Sequence, residues 1–260
     1  MALIRQKKQF ISIELFSLAI CAYAIGTTEF VAVGLVPDIA ADLSIKVSKA
    51  GYTISLYAIG VAVGAPFLTA ITSRFRRNTL LVLLLAFFIF ANLLAFISTN
   101  LTILLVGRFI SGLSHGVFFG IASTIAIKLV DPERSASAIA MVFSGLTLAI
   151  ISGVPFGTYV GQQFGWRFAF LGVDVEGMIA LVTVILLFKK KIEGANLTVS
   201  HQLKPLKSKA VLVAIGVTLL GYGGTFIPFT YLSVLLSDIA GFPKYTISSI
   251  LFGYGCAMAV

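Results

Sequence analysis

The chain has 260 residues, 58% of them hydrophobic and 11% charged, with a formal net charge of +9. A mean hydropathy of +1.04, with a charged fraction far below the roughly one-quarter typical of soluble domains, excludes an ordinary water-soluble domain. Lipid is the expected solvent for most of the chain.

An apolar run of about 20 residues is long enough to cross a hydrocarbon core of about 30 Å as a helix. That rule predicts spans near residues 12–36, 50–72, 79–98, 101–127, 136–160, 167–188 and 210–236. The first follows Arg5, Lys7 and Lys8 as a signal peptide would. Its apolar run is too long for one, no small-residue cleavage site follows, and six more spans succeed it, so it is expected to stay in the mature protein. An eighth run starts near Ile247 and stops at Val260; its length of about 14 residues is too short to cross, and the chain reads as cut short there. The predicted fold class is an all-α polytopic membrane protein.

Loop charges orient it. Arg5, Lys7, Lys8, Arg74, Arg76, Arg77, Lys128, Arg134, Lys189, Lys190, Lys191, Lys204, Lys207 and Lys209 fall on one side of the membrane, and only Lys46, Lys49, Arg167 and Lys244 on the other. The positive-inside rule predicts a cytoplasmic amino terminus and a multi-pass protein of the cell (inner) membrane. The basic loops face anionic lipid, so the net charge gives no reason to expect nucleic acid as a partner. The stretch 189–209 is long, polar and basic, whereas most other connections are short. This predicts a six-helix bundle over 1–188, a cytoplasmic linker over 189–209, and the start of a second bundle over 210–260, the repeated-half plan common among transporters.

The first and fourth spans carry opposite charges. Glu29 lies in the first and Arg108 in the fourth, and each costs at least about 2.5–3.5 kcal/mol on insertion scales unless it faces a cavity or a partner. Counted from Pro37 and Leu101, both lie roughly 11–12 Å below the outer surface, a matching depth at which the two can face each other. The functional reading is a carboxylate that binds a proton in competition with substrate, with Arg108 setting its affinity; the structural reading is a static ion pair that orders two helices. His115 lies seven residues after Arg108 with Ser111 between, a polar stripe on one helix face. The imidazole is expected either to relay protons or bind substrate, or to bond a neighbouring helix. Asp174 and Glu176 point about 200° apart on a helix, so one cavity cannot receive both unless the helix is locally irregular; one of them is expected to reach Arg167 or an adjacent helix, and a second proton site is the alternative. Cys21 and Cys256 lie in apolar spans and are expected to be plain thiols; no metal or other cofactor is implied. Gly60 and Gly64, Gly112, Gly116 and Gly120, and Gly153, Gly157 and Gly161 recur every four residues, the spacing that lets helix backbones approach closely in lipid.

Three patterns resemble the signature motifs of the major facilitator superfamily. They are Thr72-Ser73-Arg74-Phe75-Arg76-Arg77-Asn78 between spans two and three, Gly107-Arg108-Phe109-Ile110-Ser111-Gly112 in span four, and Ser152-Gly153-Val154-Pro155-Phe156-Gly157 in span five. Gly26-Thr27-Thr28-Glu29-Phe30, Gly64-Ala65-Pro66, Ser114-His115-Gly116-Val117-Phe118-Phe119-Gly120 and Gly165-Trp166-Arg167 are most similar to its twelve-helix drug:proton antiporters, in the arabinose-efflux-permease-like and purine-efflux-like branch. The resemblance covers the whole chain. It implies two six-helix bundles around a central cavity with alternating access, most of the second bundle being absent here. It also implies an interface role for Gly153, Pro155 and Gly157 near the second bundle, where Pro155 should bend or soften its helix. The family loop usually has Gly and Asp where Thr69 and Ser73 stand. That leaves Arg74, Arg76 and Arg77 without an acidic partner, either as topology anchors facing phosphate headgroups, the favoured reading, or as the gating loop that the resemblance implies.

The expectation is therefore a non-enzymatic secondary transporter. Its partners are protons and a small molecule (drug, sugar or nucleoside), in a cavity lined by Tyr23, Tyr52, Tyr57, Phe118 and Phe119. No nucleotide-binding loop points to ATP. The alternatives are an inactive half-transporter, or one that pairs with a second half, and a seven-helix receptor or photosensor. Loop charges oppose the receptor, and span seven has no lysine for a retinal Schiff base. A membrane-embedded hydrolase lacks paired metal-ligand histidines, since His201 stands alone in the linker.

Overall fold

The computed structural model describes residues 12–188, 192–194 and 204–258. Arg5, Lys7, Lys8, Lys189, Lys190, Lys191, His201 and Val260 lie outside them. Among the described residues seven helices are long and apolar enough to cross a membrane: α1 Ile13–Asp42, α2 Val47–Arg74, α3 Arg77–Phe96, α4 Leu101–Leu129, α5 Pro132–Phe164, α6 Trp166–Leu187 and α7 Lys209–Thr230. The chain of α7 continues through Leu232–Val234 and a π-helical turn, Leu235–Ile239, before α8, Lys244–Met258. Starts are capped where the sequence allows. Ser12 Oγ accepts from Leu15 N at 3.3 Å and Asn100 Oδ1 from Ile103 N at 3.0 Å, each satisfying an amide that has no helical partner.

The expectation that span one ends at Pro37 is corrected: Pro37 lies inside α1, which runs on to Asp42. In α2 and α5 the chain answers its prolines with π-helical turns, Gly64–Leu68 around Pro66 and Ala149–Gly153 just before Pro155. A proline removes one helical donor and crowds the preceding turn, and a wider turn relieves both. The softening expected at Pro155 takes this form.

α1 is the central post, its membrane-crossing stretch mostly buried among its neighbours. α2 and α4 approach backbone to backbone. A Cβ on Gly60 would meet the carbonyl of Phe109, and one on Gly112 the carbonyl of Tyr57; on Gly116 it would lie 2.6 Å from Ala65 N. Gly153 abuts Thr27, and a Cβ on Gly157 would lie 2.6 Å from Val31 Cγ2, so the α5 ridge seats on α1. Gly120 departs from the expected ridge, its nearest neighbour standing 3.9 Å away, because α2 ends its close approach one turn earlier. Gly112→Val is expected to cost more than the ~1–3 kcal/mol of ordinary overpacking, since backbone cannot yield, while Gly120→Val leaves stability unchanged. Thermal unfolding in detergent separates the two.

At the Asp42 end, Asp42 Oδ2 takes Arg167 Nη1 at 2.7 Å and Trp166 Nε1 at 3.0 Å, and Arg167 Nε donates to the Ser98 carbonyl at 2.8 Å. Arg167 is thus committed to Asp42 of α1 and to the Ser98 carbonyl, so of the alternatives for Asp174 and Glu176 the one through Arg167 is not taken. Asp174 is 2% exposed and neither carboxyl oxygen has a partner among the described residues; Glu176 lies beside Thr27.

Candidate functional site: an apolar cavity with a buried polar network

Arg108 is fully buried, and its fork is filled by main-chain oxygens. Nε donates to the Thr53 carbonyl at 3.1 Å, Nη1 to the Thr28 carbonyl at 2.7 Å and the Thr28 hydroxyl at 3.1 Å, and Nη2 to the Glu29 carbonyl at 3.4 Å. The Tyr57 ring covers the guanidinium at 4.2 Å, with Phe170 at 5.7 Å on another side. The expected meeting of the first and fourth spans does occur, but through the backbone of Glu29. Its carboxylate instead comes nearest to His115, with Oε2 3.7 Å from Nδ1. Tyr57 Oη and His115 Nδ1 are hydrogen-bonded at 2.8 Å, and the imidazole packs on Phe119 at 4.9 Å.

Ser111 lies behind this group. Asn92 of α3 accepts from the Thr28 hydroxyl at 2.6 Å and donates to the Phe88 carbonyl at 2.9 Å and to Ser111 Oγ at 3.4 Å. Three helices therefore meet at one buried amide, and the stripe Arg108, Ser111, His115 divides: the first two bond backbone and the buried amide, and His115 approaches the Glu29 carboxyl. The sequence reading missed Asn92, Thr28 and the bridging role of Tyr57. Asn92 carried a signal, since a lone amide in a span is polar glue between helices by default.

Glu29 and Tyr57 border a cavity of about 730 Å³ between α2 and α7. Ile54, Ala58, Val61 and Ala62 form one wall; Ala214, Thr218, Tyr222 and Phe226 are on the other. The expected aromatic lining is corrected. Of the five residues named only Tyr57 is there, since Phe118 is buried in the core, Tyr52 is 53% exposed, Tyr23 bonds Ser152, and Phe119 packs on His115. The remaining rings come from α7. Glu29 is the one ionisable carboxyl of the lining.

The segment 72–78 differs from expectation as well. Arg76 Nε lies 3.5 Å from Glu193 Oε1, so an acid arrives from the chain after α6 although Ser73 stands at the family's Asp position. Arg77 N donates to the Ile192 carbonyl at 2.9 Å, while Asn78 takes Ile192 N at 3.1 Å and donates to the Phe188 carbonyl at 3.2 Å. Arg77 is buried, and Arg74 and Arg76 are exposed. Asn78→Leu is expected to lower stability by about 1–3 kcal/mol through unpaired backbone, and Arg76→Ala by no more than about 1 kcal/mol because the pair is exposed. Apparent melting midpoints in detergent rank them.

α4 also spells Gly-x-Ser-x-Gly over Gly112–Gly116, but no elbow forms there. A nucleophile elbow needs a sharp strand-to-helix turn; here the stretch is continuous helix and the Ser114 hydroxyl is buried without a partner among the described residues.

Long apolar helices around a polar network and an apolar cavity define a polytopic α-helical membrane protein. The sequence model of the Major Facilitator Superfamily matches residues 18–260, and the chain belongs to that family. It is 50% identical over 247 residues to the uncharacterized MFS-type transporter YtbD of Bacillus subtilis (strain 168), covering 95% of this chain and 62% of YtbD. It is 31% identical to the putative transporter AraJ of Escherichia coli (strain K12), covering 95% and 62%. It is 35% identical to a chloramphenicol resistance protein of Streptomyces lividans, covering 94% and 64%. Among solved structures, a bacterial homologue of the human lysosomal transporter Spinster, inward-facing and unoccupied, shares the fold with a TM-score of 0.68 at 17% identity, over 94% of this chain and 58% of that one. The chain spans less than two thirds of the length of these relatives.

Proposed function

We propose that the protein works as a proton-driven efflux transporter for small amphipathic molecules, with Glu29 as the group that takes either proton or substrate. The observation that carries this reading is the position of the Glu29 carboxyl on the wall of an otherwise apolar cavity, beside His115, with the Arg108 charge sealed behind Tyr57. A charge so placed is costly and is kept in transporters for ion pathways. Proton binding and substrate binding at one carboxyl oppose each other, and linkage makes that opposition reciprocal. The hydrogen-bonded pair Tyr57 and His115, with His115 Nδ1 3.7 Å from the Glu29 carboxyl, is the route by which a proton reaches Glu29. In this reading the amino terminus is cytoplasmic in the cell membrane, and residues 1–188 rock against the bundle that begins at 210, with 189–209 as linker.

One relative is named a chloramphenicol resistance protein, so chloramphenicol is the first probe. Cells lacking their own efflux pumps and expressing this protein are expected to accumulate less of it and of other amphipathic antibiotics, and a protonophore should remove the difference. Equal accumulation with and without the protein across the panel overturns the reading.

A further inference from the structure

Pro37 has no N–H, so the carbonyl four residues earlier, Val33, loses the donor that a helix would supply. The vacancy is filled from another part of the chain: Ser233, fully buried just after α7, donates its hydroxyl to Val33 O at 2.6 Å. Next to Pro37, Asp38 Oδ1 receives Lys244 Nζ from the start of α8 at 2.8 Å. Beside these, the Tyr231 hydroxyl lies where Gly51 of α2 has no side chain, 2.6 Å from the place a Cβ would occupy. Below them the Phe30 ring meets Phe226 and Phe229, with centroids 6.0 and 5.9 Å apart. Towards its other end α7 stands away from α2, and the cavity opens between them along Val211–Tyr222. Of the residues Lys209–Thr230 only Phe229 is buried.

We propose that Ser233 on the proline-freed Val33 carbonyl, together with Asp38 and Lys244, forms a releasable latch that shuts the Asp42 end of the cavity and opens once in each transport cycle. The proposal rests on the transport reading above. Its chemistry suits release. The acceptor is made by Pro37 rather than taken from the α1 ladder, so opening breaks no helical hydrogen bond, and the bared carbonyl passes to water. The ion pair is part-exposed, with 59% of the Lys244 and 20% of the Asp38 side chain accessible, and such pairs separate readily.

The test reads access to the cavity and needs no substrate. Thr218, on the cavity wall, is changed to Cys in a Cys256→Ser background, Cys21 being buried. A membrane-impermeant maleimide is then added to right-side-out or inverted vesicles. The parent is expected to label mainly from the face opposite Asp38. Ser233→Ala, Pro37→Ala and Lys244→Glu should each raise labelling from the Asp38 face by about five-fold, the population shift that follows loss of one ordinary hydrogen bond. The exchange Asp38→Lys with Lys244→Asp should return it to the parent level. Pro37→Ala restores a helical bond, so it separates loss of the latch from loss of the fold. Labelling unchanged in all three variants overturns the latch whether or not chloramphenicol is moved; altered labelling with no drug moved in parallel supports the latch and counts against the transport reading.

Discussion

Glu29→Gln is expected to reduce proton-coupled transport to background while the protein remains folded in the membrane. The amide keeps the volume and polarity of a side chain that is 18% exposed, so packing is preserved and only the exchangeable proton is lost. Arg108 does not depend on the carboxylate for its bonds, because its donors in this group go to carbonyls and the Thr28 hydroxyl. A variant that binds drug without responding to pH, and moves it only down its own gradient, would be the signature. The check is chloramphenicol efflux from cells with and without a protonophore, alongside the amount of folded protein recovered from membranes.

Arg108→Lys is expected to be nearly as damaging, although charge is conserved. The guanidinium reaches α1 at Thr28 and Glu29 and α2 at Thr53 from one planar group. An ammonium has three donors around one atom and cannot span those carbonyls. Removing a partner from a buried charged network costs about 3–5 kcal/mol, and Lys retains part of it. Transport should fall at least about ten-fold, the effect of some 1.4 kcal/mol on a functional equilibrium, with a lower melting midpoint. Asn92→Leu, which takes away the amide that holds Thr28, should shift the same midpoint in the same direction. Arg108→Lys activity near that of the unchanged protein would mean that charge alone suffices and that the carbonyl cradle has no role.

The helices were legible because lipid makes apolar length a nearly sufficient signal. Their ends were less so. Pro37 reads as a stop, yet α1 passes through it, since Ser233, 200 residues from the Val33 carbonyl it bonds, supplies the missing donor, and sequence spacing carries no such information. Glu29 and Arg108 stood out by the cost of charge in a span, and their contact was reached from a depth count made to Pro37. The true ends place Glu29 thirteen residues before the end of α1 and Arg108 seven after the start of α4, so the agreement owed something to an end set too early. What depth cannot give is side-chain direction: every residue carries a carbonyl, and nothing in the sequence marks Thr28, Glu29 and Thr53 as the ones Arg108 takes. The glycine ridge was read correctly at Gly60 and Gly112 and failed at Gly120, where small size was present without a neighbour to use it. The cavity aromatics were sought in the first six spans, while Tyr222 and Phe226 come from α7, whose facing could not be known without its partner helix.

Coupling through Glu29 is tested most directly by drug uptake into inverted vesicles under an imposed pH gradient, acid inside, measured for the parent protein and for Glu29→Gln. The account predicts chloramphenicol uptake that appears with the gradient, collapses when the gradient is dissipated, and is absent in Glu29→Gln despite equal protein in the membrane. Gradient-driven uptake by Glu29→Gln at the parent rate would contradict it.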